Sequence, residues 1–76
     1  MNIIIVGCGK VGYTLVEALS NENHNIVVID TRQDKLDLIT DTLDVMGILG
    51  NGVSHTVLMQ AGIETADLLI AVTGSD

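Results

Sequence analysis

The 76-residue chain has no Phe or Trp and a single Tyr, so a core organised around aromatic rings is excluded and aliphatic side chains must fill the interior. Positive charge is also scarce. Lys10, Arg32 and Lys35 are the only cations against ten acidic residues, a formal net charge of −7. A nucleic-acid surface needs a basic stripe to neutralise phosphates, and three scattered cations do not make one. Direct adhesion to an anionic membrane surface is disfavoured for the same reason. The lone cysteine, Cys8, provides no disulfide framework and is compatible with a reducing cytosol. Long apolar runs are absent as well. The longest, near Leu68, falls far short of the roughly 20 residues that span a bilayer, so no direct membrane insertion is expected. Met1 to Val6 lead straight into an apolar run with no basic segment or cleavage site, which reads as no signal peptide. His24 and His55 are isolated, and no residue set has the spacing of a metal site or a catalytic triad.

What is present is a regular alternation. A chain of this length makes at most one small domain, burying only about 60% of the surface its unfolded form exposes. Val and Ile gather in short runs, as parallel strands covered on both faces require. The pattern predicts strands over 2–6, 25–29, 45–49 and 68–72. Helices are expected over 10–21 and 33–42, and a short one from an N-cap at Ser54 to near Gly62. Val11, Leu15, Ala18 and Leu19 are assigned to the buried face of the first helix, and Leu36, Ile39 and Leu43 to that of the second. Asp34 and Asp37 fall in the first turns of the second helix, where negative charge suits the helix dipole. His55 is expected on the exposed first turn of the third. The result is an α/β fold, βαβαβαβ, a Rossmann-like parallel sheet with strand order 3-2-1-4. Gly47 then lies in an edge strand, where glycine is best tolerated. The other edge, Leu68 to Val72, carries no charge or proline to discourage pairing. So apolar a strand expects a neighbour on each side, implying a domain cut after strand four; dimerisation through that edge is the other reading.

Between the first strand and the first helix stands Gly7-Cys8-Gly9-Lys10-Val11-Gly12, and Asp30 closes the second apolar run eighteen residues after Gly12. In that context the glycines read as a dinucleotide-binding fingerprint rather than a bare tight turn. Gly7 permits the turn, Gly9 lets the backbone approach a pyrophosphate, and Gly12 lets the helix pack on the sheet. The helix N-terminus supplies N–H groups to the phosphates. Asp30 would accept the hydroxyls of an adenosine ribose and oppose a 2′-phosphate, favouring NAD over NADP. Arg32 has two readings, a phosphate ligand or a solvated residue at a helix start, and Lys10 likewise. Asn51 and Gly52 follow strand three, while Thr73 and Gly74 follow strand four. Both turns sit at the carboxyl ends of strands, where ligands bind in open parallel sheets. Cys8, near a helix N-terminus, admits a redox role, but small residues are ordinary at the x positions of this loop.

Four blocks carry a wider resemblance: Met1 to Tyr13, Val28-Ile29-Asp30, Leu49-Gly50-Asn51-Gly52, and Ala66 to Thr73, with Val57 to Gly62 before the last. In order and spacing they resemble TrkA-type regulatory subunits of bacterial potassium uptake, the KTN or RCK class of nucleotide-binding domain. The resemblance covers the whole chain and implies a regulator rather than an enzyme. By position it implies that Gly7, Cys8, Gly9, Lys10, Val11 and Gly12 hold phosphates, Asp30 the ribose, and Thr73 and Gly74 the cleft wall. It further implies NAD(H) as ligand, with ATP/ADP the other candidate. The expected setting is a cytoplasmic homo-oligomer, peripheral to the inner face of the cell membrane, beneath a membrane-embedded Trk-type potassium transporter subunit. Residues 1–76 would be the N-terminal part of such a domain. The competing reading is the cofactor half of an NAD-dependent oxidoreductase, since Rossmann halves look alike in both classes.

Overall fold

The structure, a computed structural model, describes residues 1–7, 9–52 and 54–72. Its elements run β1 (Asn2–Val6), α1 (Lys10–Ser20), β2 (Asn25–Asp30), α2 (Gln33–Thr42), β3 (Met46–Leu49), α3 (His55–Ala61), a 3-10 turn (Ile63–Thr65) and β4 (Leu68–Ala71). The strands form one parallel sheet in the order β3-β2-β1-β4, as the alternating pattern implied.

β1 lies inside the sheet between β2 and β4, so both of its faces must be covered. Ile3, Ile4 and Ile5 are all buried, although successive side chains of a strand point to opposite faces. Two core layers result. Ile3, Ile5, Ile26 and Val28 pack with Val16, Leu36 and Ile39 beneath α1 and α2. Ile4 and Ile29 pack with Ala61 beneath α3, where Val57, Leu58 and Ile63 close the layer. Each fully buried aliphatic side chain contributes about 1.5–3 kcal/mol, which offsets the missing aromatics.

The amino ends of the strands are pinned by polar groups. Asn2 N–H donates to Asp67 Oδ2 at 2.8 Å, and Asp67 N–H returns a bond to the Asn2 carbonyl at 2.7 Å. Asn25 Nδ2 donates to Asn2 Oδ1 at 3.0 Å. These contacts hold β1, β2 and β4 in register from below.

Three expectations need correction. In α1 the buried residues are Gly12 and Val16, while Val11 and Ala18 are exposed and Leu15 and Leu19 half-buried. The buried row is therefore centred on Gly12 and Val16, with Leu15 and Leu19 still packed against the core and only Val11 and Ala18 turned out. Both stripes have helical spacing, and burial of Gly12 selects the one that meets the sheet. The boundaries also move: β2 includes Asp30, β3 begins at Met46, β4 ends at Ala71 and α1 at Ser20. The 3-10 turn was not anticipated at all. It follows because Gly62 ends α3 in the left-handed region (φ +89°), donating to the carbonyls of Leu58 and Met59. Thr65 Oγ1 then donates to the Gly62 carbonyl at 3.2 Å and tightens the turn.

Gly47 has a more specific reason than an edge position. A Cβ there would stand 2.9 Å from Thr40 Cγ2, so its absence lets α2 lie close against β3.

Candidate functional site

In this strand order the chain leaves β1 for β2 on one face and reaches β4 over the other. α1 and α2 lie on the first face and α3 on the second. The crevice between diverging connections opens at the carboxyl ends of β1 and β4, the place where open parallel sheets hold ligands. Backbone hydrogen bonds stitch this end together: Gly7 N–H to the Ile29 carbonyl at 2.8 Å, Val72 N–H to the Val6 carbonyl at 2.8 Å, and Gly50 N–H to the Asp30 carbonyl at 2.9 Å.

Gly7 turns the chain out of β1 with φ +96°, and a Cβ on it would collide with the Val72 carbonyl. Glycine is required there on both counts. Gly9 is the N-cap of α1 and offers no side chain to the helix, and no acidic residue stands in the first turn. The first N–H groups of an α-helix have no intrahelical partner, so an uncapped, acid-free N-terminus favours an anion. Lys10 and Val11 lie exposed on that turn and Gly12 is buried behind it. Gly52 brings the turn after β3 over the end of β1, since a Cβ there would strike the side chain of Val6. Asn51 beside it is exposed, and its carbonyl accepts the Ser54 N–H at 2.9 Å. Cys8, Thr73 and Gly74 lie outside the described residues.

Asp30 ends β2, half-buried, with Oδ1 accepting the backbone N–H of Arg32 at 2.9 Å. Arg32 is the N-cap residue of α2. Its guanidinium forks onto Asp34, Nε to Oδ1 at 3.2 Å and Nη2 to Oδ2 at 3.0 Å. Hydrogen bonding from Arg32, then the guanidinium charge itself, holds the Asp34 carboxyl below its ordinary value despite slight desolvation. Sequence reasoning assigned Asp34 only to the helix dipole. The available signal was the Arg-x-Asp spacing beside Asp30.

The structure thus places Gly7, Gly9, Lys10, Val11, Gly12, Asp30, Arg32, Asn51 and Gly52 at one end of the sheet. His55 opens α3 and is exposed, as expected. His24 is half-buried in the turn before β2, with Nε2 3.5 Å from Glu22 Oε1. Among the described residues no group of three or more His, Cys, Asp or Glu could hold a metal ion. Among the described residues no helix is long and apolar enough to cross a membrane. A small cavity of about 170 Å³ lies at the opposite, amino end of the sheet, lined in part by Asn2, Asn25, Val27 and Thr65.

Residues 3–76 match the family model of the TrkA-N domain. The chain belongs to the TrkA-N domain family. Over its full 76 residues it is 49% identical to the Trk system potassium uptake protein TrkA of Halomonas elongata, and 42% to that of Azorhizobium caulinodans. It is 41% identical to the Trk system potassium uptake protein TrkA homolog of Archaeoglobus fulgidus. The chain spans 17% of the length of each of these relatives. The crystal structure of the TrkA-N domain of the inner membrane protein ybaL from Escherichia coli superposes with a TM-score of 0.84 at 31% identity. That match covers 92% of this chain and 51% of the other. TrkA-N is a Rossmann-like class of dinucleotide-binding domain, and the glycine turn, acid-free α1 N-terminus and Asp30 stand at the positions of that fingerprint.

Proposed function

We propose that this TrkA-N chain is the nucleotide-binding part of a regulatory subunit of a potassium uptake system. It senses NAD(H), or ATP and ADP, and through the bound nucleotide controls a membrane-embedded Trk-type transporter subunit. The subunit is cytoplasmic, acts as a homo-oligomer and sits peripherally at the inner face of the cell membrane. Residues 1–76 form the N-terminal part of its Rossmann-type domain. The observation that carries this reading is full-chain identity of 41–49% to proteins named for Trk potassium uptake. The same identity favours a regulator over the cofactor half of an oxidoreductase. A sheet that continues past β4 is supported by Leu68 and Leu69, 42% and 47% exposed on opposite faces of that strand.

In this reading the turn from Gly7 to Gly12 takes the pyrophosphate, with Cys8, Lys10 and Val11 contributing backbone or flanking contacts. Asp30 takes the ribose hydroxyls. Asn51, Gly52, Thr73 and Gly74 line the cleft, with Arg32 at its ribose end. The residues bind and orient the ligand without acting on it chemically. Regulation then requires only that the nucleotide bind one arrangement of the subunit better than another, since a ligand shifts an equilibrium by its differential affinity.

Thermal unfolding of the chain against NADH, NAD, NADPH, ATP and ADP tests the binding step. A ligand present at about 100 times its dissociation constant adds about 2.7 kcal/mol of stability. Stabilisation by NADH or ATP is expected, with little from NADPH. No response to any of the five, from this chain and from the full-length protein alike, would overturn the binding assignment.

A further inference from the structure

Arg32 stands two residues beyond Asp30 and is tied to it, because its own N–H donates to Asp30 Oδ1 at 2.9 Å. An arginine near the acidic residue of a Rossmann unit is the group that accommodates a ribose 2′-phosphate. Here that guanidinium is already engaged. Both of its bonds to Asp34 are of hydrogen-bond length, 3.2 and 3.0 Å, in the two-pronged geometry that a phosphate would otherwise claim. We infer that Asp34 helps set the ribose selectivity of this site, by holding the Arg32 guanidinium in a fork and so denying a 2′-phosphate its counter-charge. The inference rests on the nucleotide-binding reading above and deepens it.

Two carboxylates then oppose a 2′-phosphate in different ways. Asp30 opposes it directly, by like charge at the ribose. Asp34 opposes it indirectly, through Arg32. Two local features favour the fork. Asp34 lies in the first turn of α2, where the helix dipole stabilises its negative charge. Arg32 occupies the N-cap position, two residues before Asp34, so the fork closes over a short span of chain. Arg32–Asp34 is nevertheless an exposed pair, with side chains 62% and 66% accessible, and solvent screens it. The fork therefore biases the choice of nucleotide and does not enforce it.

The test is the ratio of NADPH to NADH dissociation constants, read by nicotinamide fluorescence, for the parent chain, Asp34→Ala, Arg32→Gln and the double variant. Releasing Arg32 in Asp34→Ala should improve NADPH affinity about two- to fivefold relative to NADH, the range of an exposed ion pair. The gain should shrink in high salt and vanish when Asp34→Ala is made in the Arg32→Gln background. An equal gain in that background would mean that Asp34 acts by its own charge, and the fork is irrelevant. An unchanged ratio in Asp34→Ala, with the parent binding NADH, overturns this inference alone. A parent that binds neither dinucleotide, by itself and within the full-length protein, overturns the nucleotide-binding reading, and this inference falls with it.

Discussion

Gly7→Ala is the sharpest perturbation of the site, because two separate costs meet at one atom. The backbone there has φ +96°, a region where an L-residue loses about 1–2 kcal/mol. The added Cβ also collides with the Val72 carbonyl, a backbone atom that no rotamer change can move. Relief requires β4 to shift away from β1, straining the Val72 N–H bond to the Val6 carbonyl, 2.8 Å long. Overpacking of this kind costs about 1–3 kcal/mol. Domains of this size hold about 0.05–0.15 kcal/mol per residue, so the variant forfeits a large share of the total. Gly62→Ala is the internal control. It too has positive φ, +89°, but a Cβ there meets nothing closer than Thr65 Oγ1 at 3.6 Å. The melting temperature, followed by far-UV circular dichroism, should fall in both variants, at about 4–8 °C for each kcal/mol. Gly7→Ala should fall further, by the collision term of about 1–3 kcal/mol. Equal losses in the two variants would refute the claim that β1 and β4 meet this tightly at the mouth of the cleft.

Ile5→Ala, at a residue with no exposed surface in the central strand, should cost about 2–5 kcal/mol in chemical denaturation, and a loss below 1 would contradict its burial. Asp30→Ala should weaken NADH binding about ten- to a hundredfold, the worth of hydrogen bonds to a charged group, with the far-UV circular dichroism of the folded chain unchanged. The Asp34 carboxyl, followed by carbon-detected NMR, should titrate below the ordinary 3.8, and Arg32→Gln should bring it back up. Because that value is depressed in the folded chain, the fork's contribution is full above the unfolded value and is lost as pH falls through the folded one. An Asp34 midpoint unmoved by Arg32→Gln would mean the fork does not persist in solution.

Strand identity, helix order and the place of the glycine turn were legible because they are local. Ile3 to Val6, Ile26 to Ile29 and Leu68 to Val72 are continuous aliphatic runs, the pattern of parallel strands covered on both faces. Gly7 and Asp30 bracket one βαβ unit at the spacing the fingerprint requires. Order 3-2-1-4 followed from right-handed crossovers together with the Rossmann-type start that the glycine turn marks.

What the sequence could not supply depends on which atoms meet across the fold. Periodicity allowed two stripes on α1, Val11 with Ala18 or Gly12 with Val16, and packing on the sheet chose the second. The glycines at 47 and 52 looked like an edge residue and a turn, yet each is small because a side chain from another element, Thr40 or Val6, occupies the space. Arg32 carried two readings until the side chain was seen on Asp34. The sequence by itself determined the architecture and the end of the sheet that carries the glycine turn and Asp30, since hydrophobic periodicity and chain chirality act over a few residues. Tertiary structure alone decided which helix face is buried, which glycines are steric necessities and where the one arginine of the site points, because these are set by contacts between segments distant in the chain or by side-chain geometry.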